Sequence, residues 1–136
     1  MSPRFLADTS AWNRIGRAGE RWSIAIELGS VAVCVPVLLE LLYSARSRTQ
    51  YRTLAADLER MPTLDVTHAV HARALETQAK LAERSQHRGP TPSDLVIAAI
   101  AETHHVTLLH YDRHFDAIAR VTDQPTMWLA RRGSLD

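Results

Sequence analysis

The sequence predicts an α/β fold: a mostly parallel central sheet of about four to five strands with helices on both faces. Two patterns lead there. Short apolar runs alternate with longer segments of helical periodicity, the order expected of strand–helix–strand units. The runs are also nearly continuous in apolar residues, as in strands covered on both faces, where an exposed sheet would alternate apolar and polar. A third observation concerns use. Asp8 and Asp112 each stand just past an apolar run, and in such sheets ligands collect beyond the carboxyl ends of the strands. With 136 residues and 15.2 kDa, one compact domain, residues 1–136, is expected.

The elements follow in order. Arg4 to Ala7 reads as a short buried strand ending at Asp8, and Thr9 and Ser10 begin a helical stretch. Arg14, Arg17 and Arg21 recur at spacings of three and four, which on a continuous helix makes one basic stripe, either a solvated face or a rim for phosphates. Trp22 and Ile26 belong to a helix running to Gly29 or Ser30. Val31 to Val35 reads as a second buried strand, and Pro36 starts a helix carrying Val37 to about Arg46. Glu40 lies there among four leucines with no basic partner three or four residues away. Such a carboxylate must be hydrogen-bonded, metal-bound or turned along the flank to water. Ser47 to Arg60 is a further helix, Thr63 to Val66 a third short strand, and Thr67 to about Gln86 a long amphipathic helix. Arg88-Gly89-Pro90 breaks it.

Thr91 to Asp116 is the stretch around which the rest is arranged. Thr91 and Pro92 open a helix as N-cap and first residue, with Asp94 in its first turn. Ile97, Ala98 and Ala101 share the Asp94 face, and two of the three are small enough for close approach. Val106 to Tyr111 is a buried strand, followed by Asp112 and Asp116. Taken singly, these acids are explained as helix caps: Thr91-x-x-Asp94 is a capping box, and Asp112 suits the N-cap of a helix from Arg113 to Val121. Pro125 to Ala130 is a final strand, and Arg131 to Asp136 a tail.

Composition narrows the chemistry. The net charge of +1 gives no global field toward nucleic acid, although fifteen of the sixteen basic residues are arginine, suited to phosphate contacts. The one cysteine, Cys34, cannot form an internal disulfide and reads as a buried thiol in a reducing, cytoplasmic setting. The longest apolar run, Val31 to Leu39, is interrupted by Pro36 and stops at Glu40, far short of a membrane span, and the apolar stretch around Phe5 is too short for a signal peptide. Several carboxylates gathered in one crevice must take up protons or bind a cation. Without a cysteine cluster a hard, oxygen-liganded ion is favoured, Mg²⁺ or Mn²⁺, and the chemistry inferred is phosphodiester hydrolysis. His110, Asp112 and His114 alternate, and with His104 and His105 they offer a weaker transition-metal reading. Other rivals fare less well. An aspartyl-phosphate phosphatase would need an acid where Ser10 stands, and a phospho-receiver a lysine late in a strand, whereas Lys80 is helical. Another acidic-site phosphohydrolase, or a non-catalytic RNA-binding module using arginines, completes the alternatives, and the acids count against the latter.

Four motifs in order sharpen this: Phe5-Leu-Ala-Asp8-Thr9-Ser10-Ala-Trp12, Leu39-Glu40-Leu-Leu, Pro92-Ser-Asp94-Leu-Val-Ile-Ala-Ala, and Leu108-Leu-His-Tyr-Asp112-Arg-His-Phe115-Asp116. Together they span nearly the whole chain, and they resemble the PIN-domain ribonucleases, in particular the VapC toxins of bacterial toxin–antitoxin pairs. The resemblance implies a three-layer PIN-like fold and a Mg²⁺- or Mn²⁺-dependent endoribonuclease that a VapB-type antitoxin neutralises. It implies a homodimer that assembles further with the antitoxin, with cellular RNA as substrate. Carried over by position, Asp8, Glu40, Asp94 and Asp112 are the catalytic acids. Asp8, Asp94 and Asp112 hold metal, Glu40 orients or deprotonates the attacking water, and Thr9 or Ser10 supports them. Asp116 is a further acid at a position that varies among relatives, and His110 stands where a small hydroxyl residue is common. Arg14, Arg17 and Arg113 are candidates for substrate phosphates, and Trp12, Trp22 and Ile26 for the antitoxin groove.

Overall fold

The computed structural model describes residues 2–136. Its sheet has four strands, β1 (Phe5–Ala7), β2 (Val31–Ala32), β3 (Thr107–His110) and β4 (Thr126–Trp128), all parallel, in the order β2-β1-β3-β4. Seven α-helices connect and cover them among the described residues: α1 (Thr9–Trp12), α2 (Glu20–Glu27), α3 (Val35–Tyr43), α4 (Arg48–Leu58), α5 (His68–Glu83), α6 (Pro92–Thr103) and α7 (His114–Thr122). The expected parallel α/β architecture is therefore the observed one. No helix among the described residues is long and apolar enough to cross a membrane.

The strand pleat divides the core in two. Successive side chains of a strand point to opposite faces. On β1, Leu6 joins one apolar cluster, whereas Phe5 and Ala7 join the other; on β3, Leu108 and Leu109 separate the same way. The first cluster is completed by α3, α5, α6 and α7, through Val37, Leu81, Ile97, Ile100, Phe115 and Ile118. The second is filled by Ala11, Ile15, Trp22 and Leu129. Three layers result, and α6 is buried almost all round, with Leu95 and Ile97 to Ala101 inaccessible.

Three sequence expectations are corrected. The run Val31–Val35 is a strand only to Ala32, because the extended Cys34 serves as N-cap of α3 and Pro36 stands in that helix's first turn. Val33 has already left β1 by then. It meets the Thr63 segment in a single parallel bridge, with Val33 N–H donating to Pro62 O (2.9 Å) and Leu64 N–H to Val33 O (2.9 Å). Thr63–Val66 is consequently no strand: its would-be partner turns into α3 after one residue. The basic stripe is broken as well. The chain from Thr9 to Glu27 is α1, a 3₁₀ turn at Ile15–Arg17 and α2, not one helix. Gly19, at φ +107°, makes the turn between them. Arg14, Arg17 and Arg21 therefore share no face.

Candidate active site

Parallel pairing aligns the carboxyl ends of the two central strands. Ala7 lies opposite Leu109, and Asp8 N–H donates to Leu109 O (3.0 Å), so Asp8 and the Tyr111-Asp112 turn emerge side by side. The helix α6 precedes β3 and runs back along it, which returns its first turn, with Asp94, to the same edge. The helix α3 follows β2, the strand on the other side of β1, and brings Glu40. Four separated parts of the chain thus contribute one acid each.

Asp8 is the buried member, 3% exposed. It caps α1: the carboxylate accepts from the backbone N–H of Ser10 (3.2 Å) and Ala11 (3.1 Å), and the Ser10 hydroxyl donates to its oxygens at 2.7 and 2.9 Å. Ser10 Oγ also accepts from Tyr111 N–H (2.9 Å), so one hydroxyl ties Asp8 to the turn that carries Asp112. Burial pushes the Asp8 carboxyl up to about 6; the bonds from Ser10 and Ala11 oppose this, and the charge of Asp94 adds to it.

Glu40 is exposed, yet both of its oxygens are engaged. Oε2 accepts from the Thr9 hydroxyl and Oε1 from the Ser93 hydroxyl (2.5 Å). Thr9 adjoins Asp8 and Ser93 adjoins Asp94, so Glu40 clamps the two acid-bearing turns together. Asp94 completes the capping box: Thr91 N–H donates to its Oδ2 (2.9 Å), and its own N–H donates to Thr91 Oγ1 (3.1 Å). Its carboxyl is raised above the ordinary range by burial and by the charges of Asp112 and Glu40, against the Thr91 bonds. Asp112 Oδ1 accepts from His114 N–H (2.9 Å) and lies 3.4 Å from His114 Nδ1. One ligand atom each from Asp94, Asp112 and His114 falls within 4.8 Å of the others.

Asp116 faces elsewhere. Its Oδ1 accepts from Trp128 Nε1–H (3.1 Å) and lies 3.9 Å from His110 Nε2. His110 is fully buried between Phe115 and Trp128, and burial holds its basicity down despite Asp116 and Asp112. The weaker alternative, a histidine cluster, does not form: His110 turns toward Asp116, and His104 caps the end of α6 with Nε2 against Asp65 O (2.8 Å). Arg14 also turns inward, with Nη1 donating to Ser10 O (3.0 Å) and the guanidinium 4.8 Å from the Tyr111 ring centre, whereas Arg17 and Arg113 are exposed. Trp22 is 3% exposed and donates from Nε1 to Leu129 O (3.2 Å); it presents no surface to a partner. Trp12 and Ile26 are half-buried.

Sequence reasoning missed one neighbour, Ser93, and weighed another, His114, only within the weaker histidine-cluster reading. Ser93 carried no signal beyond its place next to Asp94. His114 had one, its spacing of two from Asp112, which at a helix start returns the side chain beside the acid.

The donor set fits a hard divalent cation. Oxygens of Asp94 and Asp112 converge with a ring nitrogen of His114, Asp8 and Glu40 couple to them electrostatically from outside that group, and two of the acids have raised proton affinities that a cation would relieve. The PIN domain family matches residues 5–121. Ribonuclease VapC18 of Mycobacterium tuberculosis is 39% identical over 135 residues, covering 96% of this chain and 98% of that protein. Ribonuclease VapC51 of the same organism is 41% identical over 138 residues, covering 100% of both. Among solved structures, the DNA-bound VapBC of Salmonella typhimurium gives a TM-score of 0.74 at 20% identity, covering 96% of this chain and 100% of that one. Rickettsia felis VapBC2, bound to a promoter DNA fragment, gives 0.73 at 19% identity, covering 91% and 97%. At those identities the likeness is one of fold.

Proposed function

The chain belongs to the PIN-domain family, among its VapC ribonucleases, and from that premise we propose that it is an endoribonuclease toxin working at the acidic edge of its sheet. The reaction is hydrolysis of an RNA phosphodiester. The observation that carries this reading is the gathering of Asp8, Glu40, Asp94 and Asp112 from β1, α3, α6 and the β3–α7 turn into one electrostatically coupled group.

Asp8, Asp94 and Asp112 would hold the ion, Mg²⁺ or Mn²⁺. Once bound, it supplies the positive charge that lets ionised carboxylates sit beside a phosphate and makes nearby water a better nucleophile. Glu40 keeps a free lone pair on each oxygen after accepting from Thr9 and Ser93, so it can orient a water and take its proton. Thr9 and Ser10 fix Glu40 and Asp8, so each acts on the reaction through the acid that it positions. Asp116 accepts from the Trp128 indole and so ties α7 to β4. Arg113 and Arg17 are free to meet RNA phosphates; Arg14 braces the site from within.

A VapB-type antitoxin neutralises the enzyme in this reading, as the complexes named VapBC among its structural relatives suggest. The exposed apolar side chains Ile24 of α2, Leu28 at its C-cap, and Val35, Leu39 and Tyr43 of α3 lie available for such contacts and for a homodimer that assembles further with the antitoxin. The cytoplasm is the compartment that fits. Sequencing RNA 5′ ends after expression tests the activity: the wild type yields new ends at defined sites and Asp94→Asn yields none. Identical ends from both chains would remove the reading.

A further inference from the structure

His114 is the first residue of α7, and with the histidine cluster unformed the site as described gives it no task. Its backbone is tied to Asp112 by the N–H bond to Oδ1 (2.9 Å), which fixes where the side chain starts. One edge of its ring lies against the chain at Gly89: a Cβ placed there would stand 3.6 Å from Cδ2 and 3.9 Å from Nε2. The opposite nitrogen, Nδ1, therefore faces the acids, 3.4 Å from Asp112 Oδ1. Ligands about 2.0–2.3 Å from an ion stand roughly 3–4.5 Å from one another. The 4.8 Å spread of the Asp94, Asp112 and His114 atoms is a small closure away from that. No other such group of three exists among the described residues.

Resting on the reading of this crevice as the metal site, we infer that His114 Nδ1 is a ligand, and that its nitrogen tilts the site toward first-row transition dications, Mn²⁺ among them, over Mg²⁺. Mg²⁺ is held by oxygen and keeps its waters, and gains little from imidazole. Affinity for mixed nitrogen and oxygen sites rises along the first row from Mn²⁺ onward. An imidazole added to the carboxylates therefore discriminates where carboxylates alone would do so weakly. His114 is a specificity-determining residue for the ion, and the other ring near the site, His110, is turned to Asp116 and Trp128.

The test uses the full chain with Mn²⁺ alone and Mg²⁺ alone as probes. Calorimetry gives each affinity for the wild type, His114→Ala and Asp94→Asn, and pulsed electron-spin resonance of the Mn²⁺-loaded proteins reads coupling to ¹⁴N. The expected result is ¹⁴N coupling in the wild type that disappears in His114→Ala, with Mn²⁺ affinity down about tenfold or more and Mg²⁺ affinity within about twofold. Binding that depends on Asp94 but shows no ¹⁴N coupling, or equal losses for both ions in His114→Ala, overturns the role of His114 and leaves the crevice a metal site. Mn²⁺ binding that is absent, or indifferent to Asp94→Asn, overturns both. Circular dichroism of His114→Ala, a half-exposed position, checks that the fold is retained.

Discussion

Asp8 bears the largest cost of the four acids, because it is the one almost fully buried. Its folded value of about 6 lies above the ordinary 3.8, so folding takes up a proton between those pH values. The metal-free protein therefore loses stability as pH rises through that window, by up to about 3 kcal/mol from this group, and the loss is complete above it. Asp94 is raised too and adds in the same direction. Urea unfolding of metal-free protein at pH 4.5 and 7.5 should show this fall, and Asp8→Asn should flatten it; an undiminished slope in that variant contradicts the assignment. Ser10→Ala removes the hydroxyl that serves Asp8 and accepts from Tyr111, and should cost about 1–2 kcal/mol with a lower rate of RNA cleavage. The acids themselves were legible in the sequence because their motifs stand in order. The role of Ser93 was not, since it depends on which neighbouring turn the fold delivers; His114 was read only as part of a histidine cluster, because its spacing of two from Asp112 does not say that Asp94 joins them.

Among the elements, α6 carries the most constraint. Its N-terminus does two jobs with one residue, since Asp94 both closes the capping box and faces the acids. Thr91→Ala should lower stability by about 1 kcal/mol in thermal unfolding, and should lower activity further than that loss explains, because the Asp94 N–H then loses the Thr91 hydroxyl as acceptor and only the backbone N–H of residue 91 still holds the carboxylate. Its interior is equally tight: Ala98 is 1% exposed, and its carbonyl accepts from Gln124 Nε2 (3.0 Å). Ala98→Leu should destabilise by about 1–3 kcal/mol through overpacking. Helices of this kind, with caps and long periodicity, were read nearly to their observed ends. The short strands were harder. Five apolar residues from Val31 say that the segment is buried, but Pro36 decides that the last of them belong to α3, and Thr63 then has one residue left to pair. The basic stripe failed for a related reason: periodicity assumed a helix that Gly16 and Gly19 interrupt.

At the scale of the whole molecule, the parallel order β2-β1-β3-β4 is what makes acids 104 residues apart, Asp8 and Asp112, into neighbours. That order was legible only as a class, from alternation of strands and helices; the register that aligns Ala7 with Leu109 is a tertiary fact. If the crevice binds a dication only when folded, saturating Mn²⁺ should raise the unfolding temperature of the wild type, by an amount that grows with the logarithm of its concentration, and should leave Asp94→Asn unmoved. The central claim, that these acids form one metal-dependent centre for cutting RNA, is met most directly by incubating the purified chain with single-stranded RNA. The account predicts defined fragments with Mg²⁺ or Mn²⁺, none in EDTA, recovery when the ion is restored, and none from Asp94→Asn at any ion concentration. The same fragments appearing in EDTA, or from Asp94→Asn, would contradict it.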